Sequence, residues 1–354
     1  MFFFKELSLE DGRLLAEQVQ LEESIRAISA AYLRDWRGTM VWRPRSSGEY
    51  LYRKMPEGSE VCLGVRSRET DALAMAFRVN KWKAERALQD LRSRRSEAAS
   101  SVRARDLGRV SREEARILEA VFRDGADSPF RLIGAGAIWA YEALSGGRLG
   151  SEALATGDMD VLLDPRRRVA LLAEEADGGL LARLRSVDKT FEALPREGFV
   201  ARSAGGIRVD VLEASSLRRW ASKGLPWKGE EMRPVGAEGL TWLRDVPAQA
   251  AWVFSRSGRA VQVRVPDARG FALHKLWLSE RSDRDPAKKG KDRLQAMAAA
   301  WMAADRMGLP QDPADLGDLK ALPEAVRSRL PELVAAGRAA VQAPPARRIR
   351  VRAR

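Results

Sequence analysis

The stretch Asp158-Met159-Asp160-Val161-Leu162-Leu163-Asp164, closed by Pro165, decides how this chain reads. Residues two apart on a β-strand share a face, so Asp158 and Asp160 project side by side from a sheet. Asp164 has the same parity but abuts the proline, which predicts a solvated strand end. About fifty residues on, Gly206-Ile207-Arg208-Val209-Asp210-Val211-Leu212 alternates cleanly. Ile207, Val209 and Val211 take the core side and Asp210 the opposite one. Three carboxylates on one sheet face repel each other unless cations neutralise them, and an oxygen-only cluster suits Mg²⁺ or Mn²⁺. A D-x-D pair alone is common in surface loops; the later Asp and the segment before the pair give it weight.

That segment is strand-like Arg131 to Ile133, a tight turn Gly134-Ala135-Gly136, and a helix from Ala137 to Leu144 ended by Ser145-Gly146-Gly147. Strand, glycine turn and helix form a phosphate-handling arrangement, because the backbone N–H groups at such a turn can approach an anion closely. With two ions on Asp158, Asp160 and Asp210, a triphosphate could be clamped and an acceptor hydroxyl activated, which is the chemistry of nucleotidyl transfer. Lys275, on an apolar helix from Ala268 to Glu280, needs an anion: either the triphosphate or a neighbouring Asp or Glu. Lys288, Lys289 and Lys291 read as a solvated face that could extend a basic wall. His274 reads as a packed residue, and Trp139 and Tyr141 as core, although both aromatics could stack on a nucleobase.

Outward from this centre the 354 residues divide into blocks. Residues 1–110 read as a helical region with a small hairpin unit: a helix from Leu9 to Trp36, strands near 40–42, 50–52 and 61–63, and a helix begun at Ser67. The run from Arg92 to Arg105, dense in Arg, Ser and Ala, reads as a polar boundary. Residues 111–267 hold the core, opened by a Ser111–Glu114 capping box. Residues 268–343 form a helical region that includes helices from Pro286 and from Glu324 to Ala335. Residues 344–354 are a basic tail carrying Arg347, Arg348, Arg350, Arg352 and Arg354. A net charge of +13 favours polyanionic partners such as RNA. A single cysteine, Cys62, and a single histidine exclude a disulfide framework and any cysteine- or histidine-rich metal site. The short apolar start, Met1 to Phe4, is too brief for a signal peptide or a membrane span, so a cytoplasmic protein without a membrane partner is expected.

The order Gly134-Ala135, helix, Asp158-x-Asp160 and then Asp210 resembles the DNA polymerase β-like nucleotidyltransferase superfamily. Residues 63–70, 133–142, 156–163 and 271–276 further resemble a bacterial group of nucleotidyltransferase-fold proteins, over roughly residues 40 to 305. The resemblance implies an α+β fold: a mixed sheet flanked by helices, an N-terminal helix and hairpin region, and a C-terminal helical region that helps to hold a nucleoside triphosphate. It implies that Asp158, Asp160 and Asp210 are catalytic metal ligands, and that Gly134, Ala135, Gly136 and Lys275 hold the nucleotide, with RNA, a protein or a small molecule accepting the nucleoside monophosphate. One departure stands out. The superfamily places Ser or Thr where this chain has Ala135, which keeps open a non-catalytic nucleotide- or nucleic-acid-binding module on the same fold. A nuclease using Asp210 and Glu213 is a third reading, without the lysine such sites usually carry.

Overall fold

In a computed structural model of the chain, residues 1–123, 125–150, 158–164, 166–167, 179–194, 197–214, 232 and 234–342 are described. They form a mixed α/β structure of helices and several small sheets. Two compact units result, one of residues 1–12 with 107–354 and one of residues 13–106. The arginine tail, Thr156 and Pro165 lie outside the described residues. Among the described residues, no helix is long and apolar enough to cross a membrane.

Strand β1 (Phe2–Glu6) opens the chain, and helix α1 (Leu9–Ala31) follows, closed by one π-turn over Tyr32–Trp36. In the smaller unit β2 (Thr39–Arg45), β3 (Gly48–Lys54) and β4 (Glu60–Val65) form an antiparallel meander in that order. Helix α2 (Arg68–Ala104) starts at Ser67, whose hydroxyl accepts the Thr70 N–H while Thr70 accepts the Ser67 N–H. The polar run from Arg92 is helix as far as Ala104, and the smaller unit ends just beyond it at Asp106. That stretch has no Gly or Pro, its Arg, Ala and Glu are good helix formers, and Ala98 and Val102 are buried.

Beyond residue 106 the larger unit resumes with α3 (Arg112–Val121), where Ser111 and Glu114 make the reciprocal cap its spacing predicts. Strand β5 (Phe130–Ile133) passes through a single 3₁₀ turn, Gly134–Gly136, into α4 (Ala137–Ser145). After β6 (Gly147–Leu149) come β7 (Asp158–Leu163), α5 (Gly179–Val187), β8 (Glu192–Leu194), β9 (Glu197–Arg202), β10 (Arg208–Ala214) and β11 (Val235–Ala237). The main sheet has the order β5-β7-β10-β9-β8, with β11 also paired to β10. Strands β7 and β10 run parallel, and β5 and β9 run antiparallel to their neighbours, so the sheet is mixed. Alternation places Met159 and Val161 of β7, with Val209 and Val211 of β10, in the core.

Helix α6 (Leu240–Asp245) precedes the hairpin of β12 (Ala248–Phe254) and β13 (Ala260–Pro266). Helices α7 (Ala268–Glu280) and α8 (Pro286–Trp301) are capped by Asp267 and Asp285, each accepting a backbone N–H. The helix expected over Glu324–Ala335 divides into one turn at Glu324–Arg327 and α9 (Leu330–Ala340), because Pro331 suits the first turn of a new helix. Strand β14 (Val341–Gln342) lies parallel to β1, whose other edge pairs with β6. The apolar start is therefore a buried strand, with Phe2 and Phe4 packed against Trp301.

Candidate active site

Parallel pairing of β7 with β10 sets Asp160 opposite Asp210, and Asp158 opposite Arg208. All four side chains share one face of the sheet, because their positions on each strand are two apart. On the other flank β5 brings Ile133 opposite Asp160, so the glycine turn begins directly beside that carboxylate. Gly134 has φ +60, and a Cβ placed on it would stand 1.9 Å from Asp160 Oδ2. Both facts demand glycine here: an L side chain rarely adopts that backbone, and the carboxylate leaves no room for one. Gly136 is packed more loosely, with Leu132 3.1 Å from an added Cβ. Ala135 is partly exposed between them and offers no hydroxyl.

The electrostatics follow from this crowding. Burial raises the Asp160 carboxyl above its ordinary value, and the nearby charges of Asp210 and Asp158 raise it further, against Lys275 and Arg208, which lower it. Asp158 is exposed and Asp210 half-buried. The Asp210 carboxylate is gripped in bidentate fashion by Arg208, with Nε donating at 2.7 Å and Nη2 at 3.0 Å. Among the described residues no group of three or more Asp, Glu, His or Cys side chains is arranged to hold a metal ion. The three acids thus share a face without closing into one ligand set, and a guanidinium neutralises the third. Their chemistry still fits a hard divalent cation: all the donors are carboxylate oxygens, and two of them raise the pKa of the one between them.

Lys275 comes near this face but spends its charge elsewhere. Its Nζ donates to Asp292 Oδ1 at 2.7 Å, and Arg284 binds the other oxygen of the same buried carboxylate at 2.7 Å. The neighbouring acid the sequence allowed for Lys275 is Asp292. Lys291, one residue before Asp292 on α8, is half-buried, and burial followed by the charge of Lys275 lowers its pKa, with Asp158 among the charges acting against that. Lys288 is exposed, as expected for a solvated face. His274 is buried against Trp242 and Trp277. Tyr141 is fully buried and donates to the Pro266 carbonyl at 2.9 Å, and Trp139 is buried too, so both belong to the core.

Asp164 corrects the sequence reading. It is not a solvated strand end: only 2% of it is exposed. Arg166 binds it through two nitrogens at 2.8 Å, and Arg131 approaches at 3.5 Å while donating to the Leu243 and Val246 carbonyls. Sequence reasoning also passed over Arg208, Arg284 and Asp292, and it read Lys291 as part of a solvated face, whereas that side chain is half-buried. Only Arg208 had a readable signal, its two-residue spacing from Asp210 on a strand; the others depend on how α7 and α8 pack.

Residues 112–315 match a family model described as Nucleotidyltransferase. No curated protein and no solved structure matches the chain.

Proposed function

The chain belongs to the nucleotidyltransferase family, and from that premise we propose that it transfers a nucleoside monophosphate from a nucleoside triphosphate to an acceptor hydroxyl, on a polymerase β-like site built around β7 and β10. The observation that carries this reading is the register: Asp160 lies opposite Asp210 on parallel neighbours, with Asp158 two residues away and the glycine turn against Asp160. Asp158, Asp160 and Asp210 would hold Mg²⁺ or Mn²⁺, which supplies positive charge to the polyphosphate. Arg208 has to release Asp210 for this set to close. The Asp210 carboxylate then accepts the proton of the acceptor hydroxyl. The Gly134–Gly136 backbone N–H groups donate to a phosphate, and the glycines keep side chains out of their path. Lys275, anchored by Asp292, and Lys291 place positive charge along the same face without needing to touch the substrate. A net charge of +13 favours RNA among the acceptors. The narrower likeness to the bacterial nucleotidyltransferase-fold group, and a cytoplasmic setting, belong to this same proposal.

A second reading rests on two observations, Ala135 in the turn and the Arg208 grip on Asp210: a module that binds nucleotide or nucleic acid and does not turn over. One experiment separates the two. The protein is incubated with each α-labelled nucleoside triphosphate and Mg²⁺ or Mn²⁺, together with total RNA and total protein. Metal-dependent label transfer that disappears in Asp158→Ala and Asp160→Ala is expected. Transfer surviving both substitutions removes these acids from the mechanism, and metal-independent nucleotide binding without transfer favours the binding module.

A further inference from the structure

Helix α2 carries an apolar stripe that the described residues of its own unit leave uncovered. Met75 is 70% exposed, Val79 39% and Trp82 61%. Their spacing of four and three residues puts them on one helical face, which Ala72 and Ala76 extend. These are large side chains in contiguous array on a helix whose opposite side, through Ala74, Phe77 and Leu88, already supplies the unit's core. A row of exposed Met, Val and Trp marks an interaction surface rather than ordinary surface scatter.

The order of residues along that face identifies the occupant. Val79 is flanked at eleven residues on one side by Arg68 and at eleven on the other by Asp90, and both lie on the stripe within about 20° of Val79 at 100° per residue. The side chains of Arg68 and Asp90 are exposed and make no hydrogen bond or ion pair among the described residues. Let a second α2 be laid antiparallel with a two-fold axis through Val79. Every residue then faces the position at equal distance beyond Val79. Trp82 meets Ala76 of the second copy, a large ring over a methyl, and Ala76 meets its Trp82. Arg68 meets Asp90, and Asp90 meets Arg68, about 16 Å from the axis on either side. Ala72 lies opposite Arg86 and Met75 opposite Lys83, whose stems can cover them while the charged heads reach outward. A stripe that is complementary to its own reversed copy in both size and charge is the requirement for an isologous two-fold contact.

We infer that the exposed face of α2 from Arg68 to Asp90 is a homodimer interface, in which two copies of this chain pair antiparallel helices about Val79. Trp82 is its anchor, as large aromatics are at the centre of interfaces. The two Arg68–Asp90 pairs fix the register and lie at the rim.

The test is sedimentation velocity on the full chain between about 1 and 100 µM, a range that spans the dissociation constants of ordinary weak to moderate dimers. The wild type is expected to sediment with twice the chain mass. Trp82→Glu is expected to give the single-chain mass with an unchanged far-ultraviolet circular dichroism spectrum, since the residue is mostly exposed and its loss leaves the core intact. Arg68→Asp and Asp90→Arg, each alone, are expected to weaken association about tenfold, because each sets like charges opposite one another at two symmetric places. The double variant Arg68→Asp/Asp90→Arg is expected to restore it. A wild type that stays at the single-chain mass throughout overturns the inference, as does a dimer indifferent to Trp82→Glu. A double variant no tighter than the single ones overturns the antiparallel register.

Discussion

Strand β7 carries a carboxylate near each end, and the two ends are treated in opposite ways. At Asp164 burial alone would raise the carboxyl, but the hydrogen bonds and charge of Arg166, with the charge of Arg131, outweigh it and hold the group below its ordinary value. At Asp160 burial also raises the carboxyl, and the neighbouring acids push it further up. One strand thus buries a negative charge twice, once among its counter-charges and once among its like. The first end ties β7 to the carbonyls at the end of α6 and serves stability. The second end keeps an acid raised by burial and by its acidic neighbours, which Lys275 and Arg208 only partly offset, and under the proposed function an added cation would supply the rest.

Four changes would break or sharpen that contrast. Asp160→Asn is expected to lower label transfer by about 10³-fold, the scale for loss of one directly acting group. Its midpoint of urea unfolding should stay equal or rise, because a crowded charge is removed. A loss of stability would show that Asp160 is a structural acid like Asp164. Asp164→Ala is expected to do the reverse, lowering unfolding free energy by about 3 to 5 kcal/mol by leaving Arg131 buried without its counter-charge. Urea titration measures it, and an unchanged midpoint would dissolve the distinction between the ends. Gly134→Ala adds a Cβ against Asp160 at a left-handed backbone position. About 1 to 2 kcal/mol of stability and about 10²-fold in transfer should go, from strain and from a displaced carboxylate respectively.

The last change concerns a buried group for which the charge of Asp292 only partly opposes the effect of burial. His274 is 5% exposed, neither ring nitrogen has a hydrogen-bond partner among the described residues, and burial, then the charge of Lys275, lowers its pKa to about 3 from an ordinary 6.5. Because the folded value is depressed, the unfolded chain takes up this proton first as pH falls. Its contribution is whole above about pH 6.5 and is lost toward pH 3, by up to about 1.4 kcal/mol per pH unit. His274→Phe is expected to flatten the fall in unfolding free energy between about pH 6 and pH 4, as read by urea titration at each pH. The same slope in both proteins would assign the acid sensitivity to other groups.

Much of this was legible along the chain. Period-two alternation found β7 and β10, the capping boxes found the starts of α2 and α3, and the glycine turn stood out between an apolar strand and an apolar helix. Other elements had no local mark. Strands β8, β9 and β12 are short or lack alternation strong enough to be recognised without their partners. Asp164 looked solvated because proximity to a proline is visible in sequence, whereas the approach of Arg131 from β5 is not.

The amino-acid order alone determined which residues could share a face, since the two-residue period of a strand and the 3.6-residue period of a helix are properties of the backbone itself. It therefore placed Asp158 with Asp160, Arg208 with Asp210, and Met75 with Val79 and Trp82. Only the tertiary structure decided which of those faces meet: that β7 and β10 are parallel neighbours in the register that sets Asp160 against Asp210, that Arg208 closes on one acid, and that Lys275 is taken by Asp292. Pairing and packing join residues far apart in the chain, and their outcome depends on the fit of whole surfaces, which no local period encodes.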